Sequence, residues 1–200
     1  MHPTTPLRQA ALDWVIRPRP LLLSPRPDGN TFPGRRMRPE PAPVVLRGAR
    51  ASDAAPLAAM HSRCSLDTVF RRYHSVVPVV SAALQARLLT TTVALVAVDN
   101  RGAVRALGNV AELSDGHGQL AVLVEDAWQG RGLGTTIAKH LAASARLAGF
   151  ADLRIELLPS SEAAARVAGK LGPAVVRVNA ALVTFTLRLR VESLTGLAVA

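Results

Sequence analysis

The stretch that decides the fold is residues 119–149, QLAVLVEDAWQGRGLGTTIAKHLAASARLAG. Its apolar run from Leu120 to Val124 has the length and the β-branched content of a buried strand. A glycine-dense loop follows the run, and an apolar stripe at helical spacing then predicts a helix that Gly149 ends. Glycines let backbone N–H groups approach a phosphate closely, and a helix N-terminus adds free donors and a positive dipole end. Strand, loop and helix together therefore predict a site for a phosphate-containing ligand.

The spacing within this loop separates it from two common phosphate-binding motifs. A P-loop needs GxxxxGK[ST], and no lysine follows Gly134; a dinucleotide fingerprint needs GxGxxG, whereas this loop reads GxGxG. The loop matches Q/R-x-x-G-x-G/A at Gln129, Gly132 and Gly134. This pattern resembles the pyrophosphate loop of the GNAT N-acetyltransferase superfamily, and the resemblance implies acetyl-CoA as a co-substrate. The alternative is an ordinary strand-to-helix turn with incidental glycines.

Composition and length favour a single cytoplasmic domain with a tail. The chain has 200 residues, and none of its apolar runs approaches the ~20 residues of a membrane span. The single cysteine, Cys64, excludes an intramolecular disulfide and fits a reducing compartment. We expect Cys64 to be a small apolar residue of a helix rather than a nucleophile.

The formal net charge of +10 raises the question of nucleic acid as a partner. Nearly all of the positive charge is arginine, because Lys139 and Lys170 are the only lysines. The arginines are scattered and aromatic residues for base stacking are few, so nucleic acid is not predicted as the main ligand. A basic surface would still attract anionic CoA.

Residues 1–43 are predicted to be a disordered arm. They hold ten of the 14 prolines and seven arginines, with no sustained hydrophobic period. This segment could be a docking arm, or translation could start at Met37. The folded domain is predicted over residues 44–200.

The domain is predicted to be α/β, with the order of elements that GNAT domains have. That resemblance implies a central mixed, mostly antiparallel sheet flanked by helices, with a V-shaped split between the fourth and fifth strands. The predicted elements begin with a strand at 44–47, helices capped by Ser52 and Ser81 with another at 66–73 between them, and strands at 92–98, 103–113 and 120–124. The helix that ends at Gly149 follows, and then a strand at 153–157, a helix that starts at Ser160 or Ser161 and runs through Gly172, and a closing hairpin of 175–178 and 181–189.

The GNAT resemblance also implies the cofactor contacts. The strand before the loop would pair its backbone with the pantetheine arm, and an N–H near Val124 would polarise the thioester carbonyl. Arg131 could add a charge-assisted contact to the pyrophosphate. The implied contact residues are Val122, Leu123, Val124, Gln129, Gly130, Arg131, Gly132, Leu133, Gly134, Thr135 and Ser161.

The catalytic base departs from the pattern of similar bacterial protein lysine acetyltransferases. These carry a glutamate before the central strand, where this chain has Gln119, which cannot accept a proton at neutral pH. Two carboxylates remain as candidates. Glu112 lies seven residues before Gln119 across a short turn, so the two could face each other, and Glu156 stands where ribosomal-protein N-acetyltransferases have a glutamate. His117 is a weaker candidate because it lies in a glycine-flanked turn.

The general acid departs from the pattern as well. Many GNAT enzymes carry a tyrosine where this chain has Ala168, and Tyr73 is its only tyrosine. The segment from Ser65 to Tyr73 resembles a helix that walls the acceptor site in the family, although Phe70 and Tyr73 could simply be core aromatics. The GNAT resemblance implies direct acetyl transfer to an amine, either a protein lysine or a small molecule, without metal. Alternatives are an acyl-CoA sensor or interaction module with weakened turnover, and a basic nucleic-acid adaptor. A homodimer is possible.

Overall fold

The computed structural model describes residues 19–21, 43–77 and 79–189. The strands are β1 (Arg19–Leu21), β2 (Val44–Gly48), β3 (Val93–Asp99), β4 (Val104–Glu112), β5 (Gly118–Val124), β6 (Asp152–Leu157), β7 (Ala174–Val178) and β8 (Val183–Arg188). The helices are α1 (Ala54–Ser62), α2 (Leu66–Tyr73), α3 (Ala82–Leu89), α4 (Leu133–Leu147) and α5 (Glu162–Gly169). The predicted α/β class is confirmed, and from β2 onward the elements follow the predicted order.

The strands form one mixed sheet that is split near its middle. Its order is β1-β2-β3-β4-β5-β6-β8-β7, and all neighbours are antiparallel except β5 and β6. This parallel pair is joined at only two positions, where Gly118 pairs with Leu153 and Gln119 with Arg154. From Leu120 onward, β5 keeps β4 as a partner and has no partner strand on its other side within the described chain. The predicted V-shaped split is therefore confirmed, between β5 and β6.

Two hydrophobic cores cover the two faces of the sheet. Alternate residues of a strand point to opposite faces, so Leu120 packs under α4 whereas Leu123 packs under α1 and α3. The first core contains Ile137 and Leu141 of α4, both fully buried, and the second contains Leu57 and Met60 of α1. Burial on both faces explains why β5 reads as a nearly continuous apolar run in the sequence.

The helix starts are partly as predicted. Ser65 and Ser81 cap α2 and α3, with their hydroxyl groups accepting from Thr68 N and Leu84 N at 3.2 Å each. Ser52 is not a cap, because a 3-10 turn, Ala51–Asp53, precedes α1. The reason is Asp53, whose carboxylate accepts from the backbone N–H of Arg50 at 2.8 Å and pairs with Arg47 at 2.7 Å. The Arg47 guanidinium holds the pKa of Asp53 below its usual value, against the opposing effect of burial.

Cys64 also differs from its expected place. It lies in the turn between α1 and α2 rather than within a helix, half-buried against the second core. Burial, together with the carboxylates of Asp126 and Glu125, raises the pKa of its thiol to about 12. The side chain is therefore a neutral thiol near neutral pH, as expected for a residue that is not a nucleophile.

Three residues of the N-terminal segment form a strand. Arg19–Leu21 pairs antiparallel with Val44–Leu46 and adds an edge strand. Pro20 is tolerated there because an edge strand leaves one side of its backbone unpaired. Residues 1–18, 22–42 and 190–200, including the alternative start at Met37, lie outside the described residues. Among the helices of the described chain, none is long and apolar enough to cross a bilayer.

Candidate functional site

The glycine loop joins the open end of β5 to the start of α4. A 3-10 turn, Asp126–Trp128, leads from β5 into the loop. Gly130 and Gly132 have φ of 72° and 82°, a left-handed conformation that disfavours side chains. Gly132 is the N-cap of α4, and no side chain caps the helix there. The first N–H groups of α4 therefore remain free to donate to an anion.

Gln129 holds the loop in place. Its Nε2 donates to the carbonyl oxygen of Val124 at 3.0 Å and lies 3.2 Å from both Thr68 Oγ1 and Asp126 Oδ1. Asp126 in turn accepts from the backbone N–H of Ser65 at 2.9 Å. These contacts tie the start of α2 to the loop. In this structure, the motif glutamine is a positioning group whose amide is already occupied.

A buried ionic network supports the base of the loop, and sequence reasoning missed it. Arg105 of β4 pairs with Asp99 at 2.8 Å and with Glu125 at 2.9 Å, and Glu125 also pairs with Arg63 at 3.0 Å. The guanidinium of Arg105 lies 5.3 Å from the ring centroid of Trp128. The two carboxylates are almost fully buried. The only sequence signal was an acidic residue directly after an apolar strand, which does not identify its partners.

Arg131 lies against the same tryptophan. Its guanidinium carbon is 5.8 Å from the centroid of the Trp128 ring, and its Nε is buried without a hydrogen-bond partner. No carboxylate in the described chain forms an ion pair with it. Arg131 therefore carries an uncompensated positive charge in the loop, next to the free N–H groups of α4.

Gln119 and Glu156 meet at the start of the split. Gln119 Nε2 donates to Glu156 Oε2 at 3.1 Å, across the only paired part of β5 and β6. Glu156 Oε1 makes no hydrogen bond with the described residues. The sequence analysis named both residues but did not predict this contact.

The expected facing of Glu112 and Gln119 is wrong. Glu112 pairs with Gly118, and Gln119 pairs with Ala111, so the side chains of Glu112 and Gln119 point to opposite faces. The turn between β4 and β5 sets this register, and a difference of one residue reverses the face. Glu112 is exposed at the end of β4. His117 lies in the turn, with Nδ1 3.9 Å from Asp152 Oδ2.

Arg71 reaches from α2 to the start of α5. Its Nη1 donates to the carbonyl oxygen of Ser160 at 2.9 Å and to Ser161 Oγ at 3.3 Å, while Nε pairs with Asp67 at 2.7 Å. Ser161 is itself buried. The contact joins α2 to the segment that follows β6, and the role of Ser161 as a cofactor contact stays a prediction.

Tyr73 is turned toward α1. His61 Nδ1 lies 2.8 Å from the carbonyl oxygen of Leu57 and must carry the proton there, so the Tyr73 hydroxyl donates to His61 Nε2 at 2.8 Å. Burial raises the pKa of Tyr73 and lowers that of His61. Ala168, at the position of the family tyrosine, is buried in the first core. The described residues therefore offer no free tyrosine hydroxyl at the split.

A split mixed sheet with a glycine loop at the end of its open strand defines the GNAT fold, and comparison with solved structures agrees. The GNAT domain of S. lividans PAT is 22% identical and superposes with a TM-score of 0.71, covering 86% of this chain and 97% of that one. A GNAT superfamily phosphinothricin acetyltransferase from Sinorhizobium meliloti, solved with acetyl-CoA, is 16% identical with a TM-score of 0.62, covering 73% and 88%. A GNAT-family acetyltransferase from Streptococcus pneumoniae is 18% identical with a TM-score of 0.56, covering 72% and 96%.

At the level of sequence, no protein-family model and no curated protein matches the chain. At these identities the structural likeness establishes the GNAT fold.

Proposed function

We propose that this protein is an acetyl-CoA-dependent N-acetyltransferase that moves the acetyl group directly to a primary amine. The observation that carries the proposal is the open edge of β5, which ends in a left-handed glycine loop at an uncapped helix start. An extended pantetheine arm can pair with that edge as a strand would, and a pyrophosphate can accept from the N–H groups of the loop. Solved GNAT structures with acetyl-CoA support the same assignment.

Most of the implied contacts have a defined task in this proposal. The backbone of Val122, Leu123 and Val124 holds the pantetheine arm, and the N–H groups from Gly130 to Thr135 hold the pyrophosphate. Arg131 supplies the charge-assisted contact, because its guanidinium has no carboxylate partner among the described residues. An N–H near Val124 stabilises the oxyanion that develops on the thioester carbonyl.

Glu156 is the proposed proton acceptor. An amine with an ordinary pKa of ~10.4 must lose a proton before its nitrogen can attack. Gln119 fixes one carboxylate oxygen of Glu156 and leaves Oε1 without a protein partner in the described chain. Glu156 accepts the ammonium proton, and the neutral nitrogen then attacks the thioester carbonyl. As the nitrogen–carbon bond forms and the carbon–sulfur bond breaks, the electron pair leaves on the thiolate, which takes up the second proton of the nitrogen through solvent. The thiolate, with a pKa of ~8.5 by analogy with cysteine, can leave without a general acid.

The loop assignment is tested by calorimetric titration of acetyl-CoA into the full chain and into a Gly132→Asp/Gly134→Asp double variant. We expect wild type to bind acetyl-CoA and the double variant to lose binding. The two carboxylates would repel the pyrophosphate, and an aspartate would be strained in the left-handed backbone conformation of Gly132. The matched control is Gly102→Asp, at a turn glycine with φ of 78° and open space around it, in the turn between β3 and β4. The proposal fails if folded wild type does not bind, or if the double variant binds equally.

Turnover is tested by following CoA thiol release with a panel of primary amines. Glu156→Gln should lower kcat by about 10²- to 10⁴-fold while acetyl-CoA affinity stays unchanged. An equal loss in Glu112→Gln instead would assign the proton to Glu112 and refute the role of Glu156. Tight acetyl-CoA binding with no release for any amine would favour the alternative, a GNAT-fold acyl-CoA sensor, which Gln119 and Ala168 motivate.

A further inference from the structure

Arg72 is an arginine of α2 that the structure positions but does not neutralise. Its Nη2 donates to Asn109 Oδ1 at 3.2 Å, and its guanidinium carbon lies 4.9 Å from the ring centroid of Tyr73. Its Nε is buried without a hydrogen-bond partner. The described part of the chain contains no carboxylate within ion-pair distance of it, in contrast to its neighbour Arg71.

Asn109 is held so that only its oxygen faces the guanidinium. It is a buried side chain, and its Nδ2 donates to the carbonyl oxygen of Leu88 and to Thr91 Oγ1. A neutral amide oxygen orients a guanidinium but does not offset the cost of burying its charge, because an unpaired ion is expensive to remove from water. Burial accordingly lowers the pKa of Arg72. Since a guanidinium keeps its proton in proteins, this is a pre-oriented cation without an anion.

Arg72 lies on the same face of the sheet as the proposed proton acceptor. Asn109 pairs with Ala121, so Asn109 and Gln119 are diagonal neighbours about 7–8 Å apart on that face. Gln119 then contacts Glu156. These four residues, Arg72, Asn109, Gln119 and Glu156, form a row from α2 across β4, β5 and β6 that we call the polar row. A cation stands at one end of the polar row and a carboxylate at the other.

We propose that Arg72 binds a carboxylate of the acceptor, and that the acceptors are therefore small amines that carry a carboxylate, such as amino acids. This inference rests on the proposed acetyltransferase function. The amine nitrogen lies toward Glu156, and the carboxylate accepts from the free N–H groups of Arg72 and neutralises its charge. Asn109 of β4 and Glu156 of β6 are at least two strand spacings, ~10 Å, apart, and Arg72 contacts Asn109 from α2. This separation favours an amine that several bonds separate from its carboxylate.

The test compares amines that differ only by a carboxylate. Lysine against cadaverine and ornithine against putrescine are suitable pairs, assayed by CoA release with the full chain. We expect kcat/KM for the carboxylate-bearing member to be about 10- to 100-fold higher than for the diamine. This is the gain in binding that a charge-assisted hydrogen bond usually gives. Arg72→Gln should remove this preference by raising KM for that member, with kcat and the diamine kinetics little changed. The matched control is Arg87→Gln, on the exposed side of α3.

A second readout does not depend on turnover. With saturating CoA, lysine should raise the melting temperature of wild type more than cadaverine does, and Arg72→Gln should lose that difference. Arg72→Lys keeps the positive charge but loses the planar guanidinium, and it should retain a smaller preference for lysine over cadaverine. This variant also keeps the test informative if Arg72→Gln does not fold.

Equal kinetics and equal thermal shifts for the two members in wild type, or a preference that survives in Arg72→Gln, would overturn the inference. A stronger preference for phosphoethanolamine over every carboxylate-bearing amine would overturn it too, in favour of a phosphate. Absence of CoA release with all amines, together with a lysine-specific thermal shift that Arg72→Gln loses, would refute the acetyltransferase proposal while supporting the carboxylate site.

Discussion

Gly108 lies where α4 rests directly on β4. A Cβ at this position would stand 2.5 Å from Ile137 Cγ2 and 2.7 Å from Leu141 Cδ1, both on the buried side of α4. The glycine is thus needed for close packing rather than for its backbone conformation. Because α4 begins at the glycine loop, its distance from the sheet also sets the position of the helix start.

Gly108→Ala should therefore destabilise the fold. The expected loss is about 1–3 kcal/mol in the free energy of unfolding, the usual cost of overpacking a core, measured by urea denaturation. Gly169→Ala is the matched control, because a Cβ added to this residue of α5 would meet no atom within 4 Å. That change should be neutral or stabilising, since alanine favours a helix more than glycine does. Equal stability of Gly108→Ala and wild type would contradict this account of the packing.

At the scale of elements, the buried carboxylates of Asp99 and Glu125 connect the β3–β4 turn to the end of β5. Burial raises the pKa of Asp99, but the hydrogen bonds from Arg105 and from the backbone N–H groups of Ala103 and Arg101 outweigh it and lower the pKa overall. The folded state therefore binds this proton less readily than the unfolded state. The contribution of the ionised Asp99 carboxylate to the free energy of unfolding is complete above the unfolded pKa of ~3.9. It is lost as the pH falls through the lower folded pKa.

Arg105→Met should leave two carboxylates buried without their shared cation. We expect the free energy of unfolding at pH 7, measured by urea denaturation, to fall by about 3–5 kcal/mol. Removing one partner of a buried ion pair destabilises a protein much more than replacing both partners by apolar residues does. The part of stability that wild type loses below about pH 4 should also shrink in the variant. Arg101→Met, at the exposed turn, retains the backbone contact to Asp99 and should change stability little. A variant as stable as wild type would refute a structural role for the network.

At the scale of the whole molecule, local patterns are sufficient to predict most of the fold. Strand, glycine loop and helix are adjacent in the sequence from Leu120 to Gly149, so periodicity and spacing determine them. The pairings that define the candidate site are not local. Gln119 and Glu156 are 37 residues apart, as are Arg72 and Asn109, and Arg63 and Glu125 are 62 apart. Such contacts depend on strand register and helix orientation, which periodicity does not determine.

Two differences between the expected and the observed fold have the same origin. The length of the β4–β5 turn suggests that Glu112 faces Gln119, but the turn length does not give the register, and one residue changes the face. The edge strand at Arg19–Leu21 escapes prediction because its three residues have no hydrophobic period and are paired only through the free edge of β2. In both cases a partner strand elsewhere in the sheet determines the structure: the direction of the Glu112 side chain in one case and the formation of β1 in the other.

The open edge of β5 also bears on solubility. Unpaired strand edges are templates onto which other extended chains can add, and natural proteins normally cover them. In the proposed function, acetyl-CoA supplies that cover, so the ligand protects the protein from aggregation as well as serving its chemistry. Light scattering during mild heating should then show slower aggregation with CoA than without it, and no protection in the Gly132→Asp/Gly134→Asp variant.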